Sequence, residues 1–368
     1  MINEVSKQSD IKLHIISYAP GKVIISGEHS VVYGKPALSV SIDKYTMFEI
    51  KVFDSNISDN NLFVSVSFKD TNETISISKQ MFMENYTQNN TEDNNLIKTI
   101  VLIMNELSYF NKETIESFVK QYSFICELSS QIPIGFGLGS SAALNVSIVH
   151  GLTYTICKLI NQDCLSKKVI ARIANQAEKV YHTNPSGIDV TTSVNGGLVF
   201  FNNFNDYNAI NNIDFFNKND IQIYLLSTDK KRDCKTFTGK VSQLKKDNIK
   251  LFEESIQSIG NITKSIIQLV KQKNPIQIEE FFTLVKENQR LLHTINVSTD
   301  EIDNIINILL KNNFYGKITG AGGGGFIVAF IHSSAESKFK ELSEKNNFNV
   351  LSVNFDTKGS FIKEIQYK

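Results

Sequence analysis

The chain is 368 residues long with 41% hydrophobic and 21% charged residues, a balance that excludes disordered and fibrous classes and, at roughly 100–200 residues per domain, leaves room for two domains. Lys+Arg and Asp+Glu each number 38, so the net charge is zero; no global field draws nucleic acid or an anionic membrane, and any anionic ligand must be held locally. The four cysteines, Cys126, Cys157, Cys164 and Cys234, form no CxxC pair and stand beside no histidine cluster, which points to reduced thiols. The polar N-terminus resembles neither a secretory signal nor a transit peptide, and no apolar run approaches the ~20 residues that span a bilayer, so a cytoplasmic protein is expected.

Residues 11–17 (IKLHIIS) alternate and are β-branched, which predicts a strand. Ala19-Pro20-Gly21 should break it, with separate strands at 22–26, 37–42, 45–53, 61–68 and 73–78. The Asn-rich stretch 83–95 reads as a solvated loop. A helical period occupies 96–109. A strand at 122–128 leads into a Gly/Ser loop and a helix from Ser140 to Ile160, and 166–181 is a further helix. Strands are expected at 198–202 and 221–227, and helices at 241–271, 276–294 and 299–312. The chain ends strand, glycine loop, strand, helix, strand over 315–355. The polar stretch 203–219 is the natural boundary, giving domains 1–210 (mixed α/β) and 211–368 (α+β).

Four segments carry chemistry. The first, Pro133-Ile134-Gly135-Phe136-Gly137-Leu138-Gly139-Ser140-Ser141-Ala142-Ala143, joins a strand to a helix. Alternating glycines let backbone N–H groups approach a ligand, and the helix start adds free N–H groups and partial positive charge, a phosphate cradle. Ser140 and Ser141 could cap the helix or ligate Mg²⁺ beside a triphosphate. No Lys precedes the Ser pair, so this is not a Walker A loop, and the third Gly of a dinucleotide fingerprint is missing. The second segment places Lys22 behind a rigid Pro-Gly turn and Glu28-His29 in a Gly-flanked turn. Lys22 could stabilise a developing alkoxide, or be an exposed edge-strand residue. Glu28-His29 could contact a polar substrate, or be a surface turn. The third, Lys317-Ile318-Thr319-Gly320-Ala321-Gly322-Gly323-Gly324-Gly325-Phe326, has more glycine than a hairpin needs. The fourth brings Glu178 and Asp189 to either side of the turn Asn184-Pro185-Ser186-Gly187. Phosphoryl transfer to an alcohol needs one carboxylate near the hydroxyl proton and another on the metal; a solvated helix face and a helix N-terminal acid are the plainer alternatives.

In this order the segments resemble the GHMP superfamily of small-molecule kinases, through APGKVIISGEHSVVYGKPAL, PIGFGLGSSAA and KITGAGGGGF. Within it, GEHSVVYGKPA and NPSGIDVTTSVNGG resemble the mevalonate kinase family. The resemblance implies a two-domain α+β fold, with an N-terminal domain like ribosomal protein S5 domain 2, a ferredoxin-like C-terminal domain and a site between them. It implies ATP-dependent phosphorylation of the 5-hydroxyl of mevalonate, with Mg²⁺ and a homodimer. By the same resemblance Asp189 is the catalytic carboxylate and Lys22 its neighbour at the hydroxyl. Gly135, Phe136, Gly137, Leu138, Gly139, Ser140 and Ser141 form the ATP loop, Ser141 and Glu178 hold the metal, and Glu28 and His29 lie on the substrate side. The third glycine loop supports the phosphate loop. Departures are Cys234 where the family has Thr (unless Thr236 fills that place), Thr299 for a His, and Phe326 for a small residue or Cys. A kinase of the superfamily acting on another alcohol, or a non-catalytic sensor, are the competing readings.

Overall fold

The computed structural model describes residues 10–55, 61–88, 95–107, 111–181, 186–210, 213–272 and 278–366. Two long strands form the backbone of the first sheet. β1 (Leu13–Ser26) and β2 (Ala37–Asp54) pair antiparallel and are joined through a short 3-10 turn at Ser30–Tyr33. Ala19-Pro20-Gly21 does not break β1 as expected; the strand runs through it. The register shifts between Pro20 and Gly21, and at such a bulge a proline forfeits no ladder bond. The strands expected at 37–42 and 45–53 are likewise one, β2.

β3 (Leu62–Phe68), β4 (Glu73–Ser78), β5 (Tyr122–Ser130), β6 (Leu198–Asn203), β7 (Asp206–Ile210) and a final strand, β12 (Phe361–Glu364), complete this sheet. Its order is β12-β1-β2-β5-β3-β4, with β6 on the far end of β2 and β7 on β6. Among the described residues only the β3–β5 pair of this sheet is parallel. Three helices lie between β4 and β5: α1 (Lys79–Gln88), α2 (Asn95–Glu106) and α3 (Lys112–Gln121). Residues 83–88 of the expected loop are therefore the end of α1, while 89–94 lie outside the described residues. α4 (Ser140–Leu159) packs across β1 and β2, and α5 (Lys167–Tyr181) and α6 (Ile188–Asn195) pack on α4.

After a short helix, α7 (Asp214–Lys218), the second sheet is built from β8 (Ile221–Ser227), β9 (Tyr315–Ile318), β10 (Phe326–His332) and β11 (Val350–Val353). Its antiparallel order is β11-β8-β10-β9. Helices α8 (Cys234–Asp247), α9 (Ile249–Lys271), α10 (Ile278–Thr294) and α11 (Asp300–Lys311) lie between β8 and β9, and α12 (Glu336–Lys345) between β10 and β11. This is the split βαβ arrangement of ferredoxin-like domains. The single helix expected at 241–271 is two: Asn248 ends α8 and its side chain accepts from Leu251 N–H (3.1 Å), starting α9.

The halves are tied at both ends of β1. After β11 the chain returns to the first sheet, where Asp356 accepts from Tyr45 Oη (2.6 Å) and from Gly359 N–H (2.8 Å), and β12 pairs with β1. At the other end Ser26 Oγ donates to Asn288 Oδ1 of α10 (2.6 Å). Among the described residues no helix is long and apolar enough to cross a membrane, and the four cysteines are unpaired.

Candidate active site

The glycine loop after β5 is shaped by residues that only glycine tolerates well: φ is +86°, +97° and +75° at Gly135, Gly137 and Gly139. Gly139 is the N-cap of α4, and no side chain caps that helix. Ser140 and Ser141 thus stand inside the first turn of the helix, the end whose backbone N–H groups and partial positive charge favour an anion. Leu138 is fully buried and anchors the loop in the core, while its carbonyl accepts from Lys22 N–H (2.9 Å).

Lys22 is 1% exposed, which excludes the edge-strand alternative. Its ammonium meets Asp189 Oδ1 at 3.0 Å and faces the Gly137 carbonyl at 3.5 Å. Asp189 is in the first turn of α6, after Gly187 with φ +88°. The helix end favours a carboxylate there, which is the plainer reading of Asp189, and its contact with Lys22 is made from that position. Asn184 and Pro185 of the preceding turn lie outside the described residues. Glu178 is no solvated acid: it is 4% exposed, with Asn145 Nδ2 donating to Oε1 (2.8 Å) and Ser141 Oγ donating to Oε2 (3.4 Å).

Glu28 and His29 are not a surface turn. Glu28 is buried and ion-paired with Lys317 of β9, whose ammonium also donates to Ile318 O (2.6 Å); Asn288 Nδ2 reaches Glu28 Oε2 at 3.5 Å. Burial pushes the Glu28 carboxyl up and the Lys317 ammonium down, and their mutual attraction opposes both shifts. His29 sits at φ +59° and its Nε2 donates to Ala321 O (3.0 Å) in the third glycine loop. Burial lowers its pKa to about 4, and the nearby Arg232 pushes the same way.

That third loop braces the first. Gly325 N–H donates to Lys230 O (2.8 Å) and Phe326 N–H to Phe136 O (3.2 Å). A Cβ on Gly325 would lie 2.5 Å from Phe136 O. Phe326 fills its place by packing on Phe136, ring centroids 5.5 Å apart.

Lys22, Glu28, His29, Ser141, Glu178 and Asp189 converge on one cleft of about 220 Å³. Residues Gly135 to Ser140 are not among its lining; the loop meets it through Lys22, which contacts the Gly137 and Leu138 carbonyls. The second half contributes Arg232, Cys234, Thr238 and the turn at Gly320-Ala321. Cys234, not Thr236, faces the cleft; the Thr236 hydroxyl donates to Asp233 Oδ2 (2.6 Å) at the cap of α8. Thr299 caps α11. The sequence reading assigned no role to Arg232, Lys317 or Asn145. Arg232 lies between the two glycine loops, its guanidinium 3.2 Å from where a Cβ on Gly137 would be and 2.4 Å from one on Gly320. The basic run Lys230-Lys231-Arg232 was its only signal.

Among the described residues no three His, Cys, Asp or Glu side chains cluster as a metal cage. Mg²⁺ typically takes one or two carboxylates and completes its shell with water and substrate phosphates. The hard oxygen pair of Ser141 and Glu178 beside the glycine loop fits that habit.

Residues 95–197 match the family signature of the GHMP kinases N terminal domain, and residues 266–347 that of the GHMP kinases C terminal. The chain belongs to the GHMP kinases. This GHMP kinase is 28% identical over 336 residues to the mevalonate kinase of Methanocaldococcus jannaschii, covering 90% of this chain and 97% of that one. It is 25% identical over 351 residues to the mevalonate kinase of Arabidopsis thaliana, covering 87% and 91%. In structure it is similar to the crystal structure of the Methanococcus jannaschii mevalonate kinase, with a TM-score of 0.73, 24% identity and coverage of 94% and 99%. The two-domain α+β GHMP kinase fold expected from the motifs is thus the fold found.

Proposed function

We propose that this GHMP kinase transfers the γ-phosphoryl group of ATP to the 5-hydroxyl of mevalonate, giving 5-phosphomevalonate. The observation that carries the reading is the Lys22–Asp189 pair, 3.0 Å apart, facing Ser141 and Glu178 across one cleft beside a glycine loop. That is the minimum set for in-line transfer to an alcohol: a phosphate cradle, a carboxylate for the hydroxyl proton and fixed positive charge at the acceptor oxygen.

The loop N–H groups and the uncapped start of α4 bind the phosphates. Asp189 accepts or steers the hydroxyl proton, and Lys22, held by Asp189 and the Gly137 carbonyl, offsets the charge that grows on the acceptor oxygen. Arg232 adds a guanidinium between the glycine loops, where phosphoryl charge would concentrate. Ser141 and Glu178 would hold Mg²⁺, which supplies charge neutralisation at the β- and γ-phosphates when bound. Glu28 and His29, pinned to Lys317 and Ala321, form a rigid wall on the acceptor side, so the acceptor meets preset dipoles rather than mobile side chains. The apolar flank of Ile24, Val31 and Val32 suits a short branched carbon chain better than a sugar ring bristling with hydroxyls.

The test is ADP release, dependent on ATP and Mg²⁺, against mevalonate, phosphomevalonate, homoserine and galactose. Turnover on mevalonate alone is expected. Turnover on another alcohol would keep the chemistry and overturn the substrate, and no turnover on any would favour a sensor.

A further inference from the structure

α5 presents two polar side chains to the cleft three residues apart, Asn175 and Glu178, a spacing that sets them on one helix face. Glu178 is engaged with Ser141 and Asn145. Asn175 differs: its amide Oδ1 is shut off from solvent, and among the described residues no donor reaches it. Native proteins rarely leave a buried acceptor in that state unless a water, ion or ligand serves it. It lines the same cleft as the oxygen donors that suit a hard cation, Ser141 and, one helical turn along α5, Glu178. Mg²⁺ dehydrates reluctantly and keeps several waters, and cation-bound water is a strong donor that needs acceptors around it. Glu178 takes its own donor from Asn145, so Asn175 is left as the amide oxygen able to receive such a water.

We propose that Asn175 belongs to the cation site, its amide oxygen accepting a hydrogen bond from water in the inner shell of the divalent ion held by Ser141 and Glu178. The inference rests on that reading of Ser141 and Glu178 and goes one shell beyond it. Outer-shell partners of this kind typically change metal affinity about 10–100-fold when removed.

The experiment uses Mn²⁺ as the probe, its free concentration read by electron paramagnetic resonance with the full chain, saturating ADP and no acceptor alcohol. Asn175→Leu, close in volume and without the amide, is expected to bind Mn²⁺ about 10-fold more weakly, while its metal-free ADP affinity stays that of the wild type. Asn175→Asp, which restores an acceptor oxygen, is expected to bind Mn²⁺ at least as tightly as the wild type. Glu178→Gln is measured alongside. If Glu178→Gln weakens Mn²⁺ binding and Asn175→Leu does not, the inference is overturned and the reading of Glu178 stands. The inference also fails if Asn175→Leu loses metal-free ADP affinity by the same factor, because the role is then structural. Unchanged binding in Glu178→Gln, or no Mn²⁺ uptake by the wild type with ADP, overturns the metal reading and the inference with it.

Discussion

Lys22, Glu28 and Lys317, charged side chains around the cleft, are almost wholly buried. Burial of a charge is tolerable only with a partner, and removing one partner leaves the other uncompensated. Lys22 has Asp189, and Glu28 has Lys317. Lys317→Met should therefore destabilise the fold by about 3–5 kcal/mol, read as a lower urea midpoint, whereas Lys317→Met with Glu28→Gln should recover part of the loss. A single variant with wild-type stability would show that the pair is not coupled. Lys22, Ser141, Glu178 and Asp189 were legible in the sequence as candidates because each sits in a motif that resembles the family's, and the structure places them around one cleft. Lys317 and Asn145 were not, because they act by satisfying another buried group, and a partner distant in the chain leaves no local pattern. Glu28 was legible as a residue of interest, but its tie to β9 was not.

Among elements, the glycine loops do different work from the glycines inside helices. Gly325, with φ +79°, has no space for a Cβ against Phe136 O. Gly325→Ala should cost about 1–3 kcal/mol from the backbone conformation alone, and should raise the KM for ATP, because Phe326 N–H and Phe136 O join the two loops. Gly239 in α8 meets nothing within 4 Å and has no positive φ; Gly239→Ala should stabilise by about 0.5–1 kcal/mol with kinetics unchanged. Thermal melts and ATP titrations of the two variants check both. The sequence located the loops but misjudged some elements between them. Pro20 suggested a strand end, and only the bulge opposite Tyr45 explains its place inside β1. Asn248 divides α8 from α9 without a Gly or Pro to announce it. β12 was missed because four residues, half of them polar, carry little alternation.

At the scale of the molecule, the cleft exists only where the two halves meet, so its integrity follows the stability of the whole. Two histidines, His29 buried and His150 half-buried, make that stability sensitive to acid. Burial holds His29 at about 4, where it ties Glu28's turn to Ala321. Burial, aided by Lys167, holds His150 at about 4, where its Nδ1 is 3.0 Å from Ser360 Oγ of the returning C-terminal segment. Both are near 6.5 when unfolded, so between those values the unfolded chain binds more protons. Their contribution is complete above about pH 6.5 and is lost as pH falls towards about 4, on the order of 3 kcal/mol for each. Urea unfolding at pH 7 and pH 5 should show this fall, and His150→Asn should flatten it; an equal slope in the variant would remove His150 from the account.

The central claim is that Asp189, paired with Lys22, handles the proton of the mevalonate 5-hydroxyl during phosphoryl transfer. Its most direct test is turnover of ATP and mevalonate by Asp189→Ala beside the wild type, with product followed by phosphorus NMR and ADP affinity by calorimetry. The wild type should form 5-phosphomevalonate, and the variant should lose about 100- to 10,000-fold in kcat while binding ADP as before. Wild-type turnover in Asp189→Ala would contradict the claim.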